Sequence, residues 1–149
     1  MNILAVGDFH NCGFVDCARF GSDVSFLSYD VVILDFTAAF REYTASYLSQ
    51  EPYGGEALLD EKGSTQLRKD FDRRRAEILE MLGLGRSVVV LICGPQTCYV
   101  QDSEDFLDLE PEKVDLLSVL PVEVDTEEGS GSRIEFLGHE AFAILWDAY

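Results

Sequence analysis

Three chemically reactive side chains follow the first apolar segment of the chain. Asp8, His10 and Cys12 come directly after the run Ile3–Val6, and Asn11 lies between the last two. A carboxylate, an imidazole and a thiol can bind a metal, transfer a proton or act as a nucleophile, depending on the groups beside them. The amide adds a hydrogen-bonding group for a polar ligand. The segment therefore predicts a ligand site that contains Asp8, His10 and Asn11.

The segments that must position these side chains predict an α/β fold. Apolar runs without alternation at Ile3–Val6, Tyr29–Phe36 and Arg86–Cys93 are typical of parallel strands buried on both faces. Helical spacing of apolar residues occurs over Thr37–Leu48 and over Ser64–Leu82, with Ser64 as the predicted N-cap. Strands that alternate with helices predict a three-layer domain with a mainly parallel, doubly wound sheet.

Shorter elements are predicted in the rest of the chain. Phe14–Phe20 and Pro111–Leu120 are expected to form short helices, and Gln96–Pro111 an irregular acidic connection. Alternation in Val122–Val124 and Arg133–Phe136, on either side of a Gly- and Ser-rich segment, predicts a β-hairpin at the edge of the sheet.

The composition predicts one acidic globular domain. The chain has 149 residues, of which 47% are hydrophobic, and a formal net charge of −17. A chain of this length can bury its own core, so residues 1–149 are expected to form a single α/β domain, alone or as one domain of a longer polypeptide. The negative charge repels nucleic-acid phosphates and anionic lipids, so neither nucleic acid nor a membrane is expected as a partner.

Three sequence features predict a cytoplasmic protein. The longest apolar run, Val88–Cys93, is too short to span a bilayer. The N-terminus lacks the basic and then apolar layout of a signal peptide. The four cysteines form no dense framework, which fits free thiols in a reducing compartment.

A crevice is predicted where two strands end. The strands Ile3–Val6 and Val88–Cys93 are expected to be neighbours at the point where the winding of the sheet reverses, and ligands bind at such points. The residues predicted to bind a ligand there are Asp8, His10, Asn11, Asp35, Cys93 and Gly94.

One local motif resembles a family of metal-dependent enzymes. Gly7-Asp8-Phe9-His10-Asn11, after an N-terminal strand, resembles the opening Asp-x-His motif of calcineurin-like metallophosphoesterases. The resemblance implies that Asp8 and His10 bind a divalent metal and that Asp35 stands for the second motif's aspartate. In that family two metals polarise the phosphoryl group and generate hydroxide. Leu34 replaces the glycine before that aspartate, and no Gly-Asn-His-Asp/Glu sequence is present.

A longer resemblance, of pattern and not of motif, is to class I glutamine amidotransferase-like and flavodoxin-like proteins. Cys93, His139 and Glu140 keep the Cys-His-Glu order of the amidotransferase catalytic residues. The resemblance implies a cysteine-dependent hydrolase in which Cys93 is the nucleophile and His139 its base. Leu91 and Pro95 replace the flanking glycines, and the layout of elements resembles that of the non-catalytic members, which implies a binding or regulatory domain.

The cysteines also permit a metal-site hypothesis. Cys12 and Cys17 have the same spacing as Cys93 and Cys98. A tetrahedral thiolate site needs four sulfurs to converge. No cofactor is predicted, and a divalent metal is the one left open. The candidate metal ligands are Asp8, His10, Cys12 and Cys98.

Basic residues crowd the second predicted helix. Its apolar stripe of Leu67, Phe71, Ile78 and Leu82 has a gap close to Arg74 and Arg75. These arginines are expected either to lie on a solvated face with acidic partners or to reach an anionic ligand.

These patterns favour a non-catalytic function. The predicted role is a ligand- or partner-binding domain that takes a small anionic or polar ligand in the crevice or a protein partner on its acidic loops. The alternatives are a metal-dependent phosphoesterase that uses Asp8, His10 and Asp35, and a cysteine-dependent amidotransferase-like hydrolase that uses Cys93, His139 and Glu140. The sequence predicts no particular oligomeric state.

Overall fold

The main sheet of the protein consists of parallel strands. The computed structural model describes residues 1–10, 15–49, 51–92, 94, 97–101 and 110–121. Within these residues, four parallel strands lie in the order β2-β1-β3-β4, and two further strands form an antiparallel pair. The strands are β1 Ile3–Val6, β2 Val15–Ala18, β3 Val31–Asp35, β4 Ser87–Leu91, β5 Thr97–Val100 and β6 Glu112–Asp115. The helices are α1 Phe36–Tyr47, α2 Glu61–Gly83 and two short 3-10 helices, Phe26–Ser28 and Leu116–Val119. The predicted α/β class with a mainly parallel sheet is confirmed.

The core lies between this sheet and its helices. β1 and β3 pair in register, with Leu4 beside Val32 and Val6 beside Leu34. These four side chains are almost completely buried and belong to the same core as Ile78 of α2. Burial of an apolar side chain of this size contributes about 1.5–3 kcal/mol. The apolar runs recognised in the sequence therefore hold β1 and β3 at the centre of the sheet.

The predicted neighbourhood of the first strand is wrong in one respect. β3 lies between β1 and β4, so Ile3–Val6 does not pair with the strand that contains Val88. Each strand has only two edges, and those of β1 are occupied by β2 and β3. β4 is at the end of the described sheet, and its side chains are exposed or half-buried, whereas a central strand was expected.

Three short elements also differ from the prediction. Val15–Ala18 is a strand instead of part of a helix, because pairing with β1 supplies its backbone hydrogen bonds. Thr97–Val100 and Glu112–Asp115, expected in an irregular connection and a helix, pair with each other as β5 and β6. The predicted hairpin of Val122–Val124 and Arg133–Phe136 lies outside the described residues.

Both long helices begin at an aspartate. Asp35, the last residue of β3, caps α1 by accepting the backbone N–H of Ala38 at 3.0 Å. Asp60 caps α2 in the same way at 2.7 Å, so the prediction of Ser64 as N-cap is wrong. Ser64 is buried inside the helix, where its hydroxyl accepts the backbone N–H of Gln101 at 2.9 Å. The helix α2 begins about one turn before the predicted start at Ser64, because the Asp60 carboxylate accepts a backbone N–H of the first turn that would otherwise bond to water.

Arg74 fastens the loop after β2 onto α2. Its guanidinium donates to the carbonyls of Phe20 at 2.9 Å, Ser22 at 2.7 Å and Val24 at 2.8 Å. It also donates to the Glu77 carboxylate at 2.7 Å. The Arg74 side chain is fully buried. We call this group of five residues the Arg74 anchor.

Arg74 fits neither of the two expectations for the basic helix, a solvated face or contact with an anionic ligand. Arg74 lies in the core, with its guanidinium 3.9 Å from the centre of the Phe26 ring, whereas Arg75 is exposed. Because most of the Arg74 donors are used within the protein, this arginine is structural and does not reach out to a ligand.

Among the residues that the structure describes, no helix, α2 included, is both long and apolar enough to cross a bilayer.

A buried carboxylate supports the anchor from the same helix. Asp70 accepts hydrogen bonds from the Tyr43 hydroxyl at 2.7 Å, from Gln66 at 2.8 Å and from Arg73 at 2.9 Å. Burial, together with the adjacent Asp70 carboxylate, raises the pKa of Tyr43 far above its usual range. Asp70 thus joins α1 to α2 through a fully hydrogen-bonded charge.

Candidate ligand-binding cleft

A cleft opens at the carboxyl edge of the parallel sheet, beside the end of β1. Its volume is about 270 Å³. One wall is formed by the residues that follow β1 and β2, and the other by one face of α1. The lining residues are Gly7, Asp8, Arg19, Ala38, Arg41, Glu42, Ala45 and Ser46. We call this site the strand-end cleft.

The wall from α1 is set by the point at which that helix begins. Asp35 ends β3 and caps α1, so the helix leaves the sheet at the carboxyl edge. Its lining residues run from Ala38 to Ser46 at spacings of three and four, which places them on one helix face. Because Ala38 and Ala45 are small, this face leaves space between the helix and the strand ends.

The opposite wall depends on Gly7. Its φ of +144° is a backbone conformation that residues with a side chain rarely adopt. A Cβ at this position would lie 2.8 Å from the Cβ of Asp35, closer than carbon atoms can approach without a shift. The Gly7 N–H donates to the carbonyl of Ala18 at 3.0 Å and ties the ends of β1 and β2 together. Glycine is therefore required for the turn that presents Asp8.

An exposed ion pair crosses the cleft. An Asp8 carboxylate oxygen lies 3.1 Å from the Arg41 guanidinium, and the two side chains are 70% and 59% exposed. A pair this exposed contributes about 0–1 kcal/mol to stability, since water and salt screen its attraction. The pair can therefore exchange its partners at little cost.

The inner end of the cleft holds a second acid and a second arginine. Glu42 accepts the backbone N–H of Phe20 at 3.1 Å, and burial raises its pKa, although the hydrogen bonds from Gly21 and Phe20 and the Arg19 charge act the other way. Arg19 is exposed; its carbonyl accepts hydrogen bonds from Ser22, but its guanidinium makes no hydrogen bond or ion pair with any other described residue. Glu42 is thus engaged by the loop, whereas the Arg19 guanidinium is available.

The structure separates the sequence-predicted site residues. Asp8 lines the cleft, and His10 is exposed but does not line it. Asp35 is buried and caps α1. Gly94 is exposed, and a Cβ there would lie 3.1 Å from Thr37. The predicted residues that lie outside the described part of the chain are Asn11, Cys12, Cys93, His139 and Glu140.

The two described cysteines differ in reactivity. Cys98 is 2% exposed, and burial raises the pKa of its thiol to about 11. Cys17 is an exposed residue of β2, whereas the sequence predicted a short helix over Phe14–Phe20. A cysteine binds a metal as its thiolate. Because burial raises the pKa of the Cys98 thiol, it disfavours Cys98 as a metal ligand. Among the described residues, no group of three or more His, Cys, Asp and Glu side chains converges as metal ligands do.

The sequence analysis did not identify the three other charged residues of the cleft. Arg19, Arg41 and Glu42 were not singled out because none lies in a motif. The spacing of Arg41 and Glu42 from Ala38 was a usable signal, since it places both charges on a helix face otherwise made of small residues. No comparable signal exists for Arg19, whose place depends on the pairing of β2 with β1.

A second groove, of about 280 Å³, lies between α2 and β6. Arg68 donates to Glu112 across it at 3.0 Å, and Leu67 and Phe71 form part of its floor. Arg68 is about one third exposed and already paired, so it offers a control for the arginines of the strand-end cleft.

Comparisons with known proteins give no family for this chain. No family model matches it, and the searches of curated proteins and of solved structures found no match.

Proposed function

We propose that this chain is a non-catalytic binding domain that takes a small polar ligand in the strand-end cleft. The observation that carries the proposal is the convergence of Asp8, Arg19, Arg41 and Glu42 on one cavity at the carboxyl edge of a parallel sheet. Ligand sites are usually concave, with a few polar groups that fix the orientation of the ligand. The described lining offers guanidinium and carboxylate groups, which can hold a polar ligand by charge and by hydrogen bonds.

The strand order supports the place of the site. The chain goes from β1 to β2 on one side and from β3 to β4 on the other, so the winding reverses between β1 and β3. We propose a flavodoxin-like winding on this basis, since that fold has the order 2-1-3-4-5 and binds its ligand where the order reverses. The resemblance to amidotransferase-like proteins stays a prediction, because Cys93 and His139 lie outside the described residues.

The metal-dependent alternative has less support. A phosphoesterase site would need Asp8, His10 and Asp35 as ligands. The Asp8 carboxylate pairs with Arg41, and the Asp35 carboxylate is buried as the cap of α1. Metal analysis of the purified protein tests this alternative: stoichiometric manganese, iron or zinc that is lost in Asp8→Ala would favour the phosphoesterase over the binding domain.

A variant that fills the cleft tests the proposed function. Ala45 is an exposed helix residue that lines the cleft, so Ala45→Trp should occupy the cavity without disturbing the core. Small polar molecules titrated into ¹⁵N-labelled protein should shift the amide signals of Gly7, Asp8 and Ala38, and Ala45→Trp should abolish these shifts.

A matched control separates blocking of the cleft from a general effect of tryptophan. Ala76 is exposed on α2, away from the cleft, so Ala76→Trp should bind as the unmodified protein does. Shifts that survive in Ala45→Trp, or that map to another surface, would refute binding in the cleft.

A further inference from the structure

We propose that the strand-end cleft binds a small oxyanion, a phosphate or carboxylate group held between Arg19 and Arg41, and that the Asp8 carboxylate competes with this ligand for Arg41. The inference rests on the proposed function of the cleft and names the chemistry of its ligand. The supporting observations are the hydrogen bonds and ion pairs that each charged cleft residue makes or lacks.

The first step is the availability of Arg19. Acidic residues outnumber basic ones by 28 to 11 in this chain, and five of the ten lysines and arginines that the structure describes pair with a carboxylate. These are Arg41, Arg68, Arg73, Arg74 and Lys113. Arg19 lines the cavity, and its guanidinium has no ion pair or hydrogen bond with another described residue. Its guanidinium has five N–H donors in a planar fork, a geometry that matches an oxyanion.

The second step is the weakness of the bond that holds Arg41. Its partner Asp8 is 70% exposed, and the two groups meet in solvent. A phosphate or carboxylate that reaches both arginines gains charge-assisted hydrogen bonds from two guanidinium groups, whereas Asp8 gains them from one. An oxyanion in the cleft can therefore displace Asp8 from Arg41.

The third step is that Glu42 does not compete in the same way. Its carboxylate accepts backbone N–H groups from Phe20 and Gly21, and its side chain is only partly exposed. Glu42 stays with the loop when a ligand enters. The charged lining residues are two arginines and two carboxylates, so the cavity is formally neutral within a protein of formal net charge −17.

The fourth step is the fit. The cavity of about 270 Å³ is smaller than most drug-binding pockets and admits a phosphate or a short carboxylate with a few further atoms. Ala38 and Ala45 leave the helix wall open beside Arg41. The cleft thus suits a small anion better than an extended one.

Titration of inorganic phosphate and of acetate, followed by the amide signals of Gly7 and Asp8, tests the inference. Arg41→Gln and Arg19→Gln should each weaken binding by about tenfold or more, the effect of one hydrogen bond to a charged group. Asp8→Asn should strengthen binding, because it removes the competing carboxylate. Arg68→Gln, in the other groove, should bind as the unmodified protein does. Far-UV circular dichroism confirms that each exposed substitution leaves the fold intact.

The direction in which Asp8→Asn changes the binding affinity distinguishes an anionic ligand from a cationic one. Weaker binding in Asp8→Asn would overturn the inference, since Asp8 would then be a ligand-binding group. If only phosphate, or only acetate, shifts the amide signals of the cleft, the ligand carries a phosphate or a carboxylate group respectively. If neither anion shifts the cleft signals while an uncharged or cationic molecule does so and is blocked by Ala45→Trp, the oxyanion inference fails and the binding function stands. If Ala45→Trp blocks no ligand, both fail.

Discussion

The Arg74 anchor and the strand-end cleft use the same side chain in opposite ways. Arg74 is fully buried and bonded to three carbonyls and one carboxylate, whereas Arg41 is 59% exposed and paired with a single exposed carboxylate. Desolvation makes a buried charge expensive unless its donors are satisfied, so Arg74 is held in one arrangement. Solvent makes the Arg41 pair weak and exchangeable. Burial and the number of partners, not residue type, separate a structural arginine from one available to a ligand.

The Arg74 anchor and the strand-end cleft share the loop that follows β2. Phe20 accepts from Arg74 through its carbonyl and donates to Glu42 through its N–H. Arg19, the preceding residue, points into the cleft lining. The anchor therefore fixes the backbone that carries a cleft side chain.

The largest expected effect comes from the anchor. Arg74→Met should lower the free energy of unfolding by about 3–5 kcal/mol, because it leaves three carbonyls and Glu77 without their buried donor. Arg75→Met, an exposed substitution next to it, should change stability by less than about 0.5 kcal/mol. Urea unfolding measures both, and equal effects of the two substitutions would remove the distinction between buried and exposed arginines.

A smaller effect is expected from the hydroxyl that supports the anchor. Tyr43→Phe should lower the free energy of unfolding by about 1.5 kcal/mol, since it removes a hydrogen bond to the buried Asp70 carboxylate. Because the pKa of Tyr43 is raised in the folded protein, its contribution is present in full below about pH 10 and is lost as the pH rises further.

The alkaline loss should therefore be smaller in Tyr43→Phe than in the unmodified protein. Tyr47→Phe is the control, because the Tyr47 hydroxyl makes no hydrogen bond with a described residue. An alkaline loss of the same size in both variants would contradict the role assigned to Tyr43.

The smallest expected effect lies at the border of the cleft and has the opposite sign. Burial raises the pKa of Glu42, so its protonated form is favoured by folding, and the resulting stability is present at low pH and lost as the pH rises through the folded pKa. Glu42→Gln imitates the protonated form and keeps an acceptor for Phe20. It should raise the free energy of unfolding at pH 7 by under about 1 kcal/mol, and a clear decrease in urea unfolding would show that ionised Glu42 stabilises the loop.

The central strands and both long helices were predictable from sequence because their signals are local. Apolar runs marked β1 and β3, and apolar residues at helical spacing marked α1 and α2. β2 was not predictable, since Val15–Ala18 is short and gains its backbone hydrogen bonds from a strand distant in the chain. The start of α2 was misplaced because Ser64 and Asp60 are both acceptable caps, and tertiary packing buries Ser64.

The sequence predicted a crevice between the first strand and the strand that contains Val88, whereas the described cleft lies between the ends of β1 and β2 and the helix α1. Asp8 follows β1 and lines the described cleft, and its role in binding a ligand stays a prediction. Asp35 looked equally available, but its carboxylate is used to begin α1. Arg19 and Arg41 reach the cleft only through strand pairing and helix direction, and neither is written in a local motif.

The double attachment of Phe20 has a consequence for the exchange of backbone hydrogens with solvent. Amides in mobile loops normally exchange faster than those of core strands and helices, because they open without disturbing the core. The Phe20 amide is released when its bond to Glu42 of α1 breaks, and the bond from Arg74 of α2 to the Phe20 carbonyl, together with the buried Phe20 ring, opposes the loop movement that this requires. Phe20 should therefore exchange as slowly as the amides of β1 and β3, which makes this loop part of the last unit of the protein to unfold.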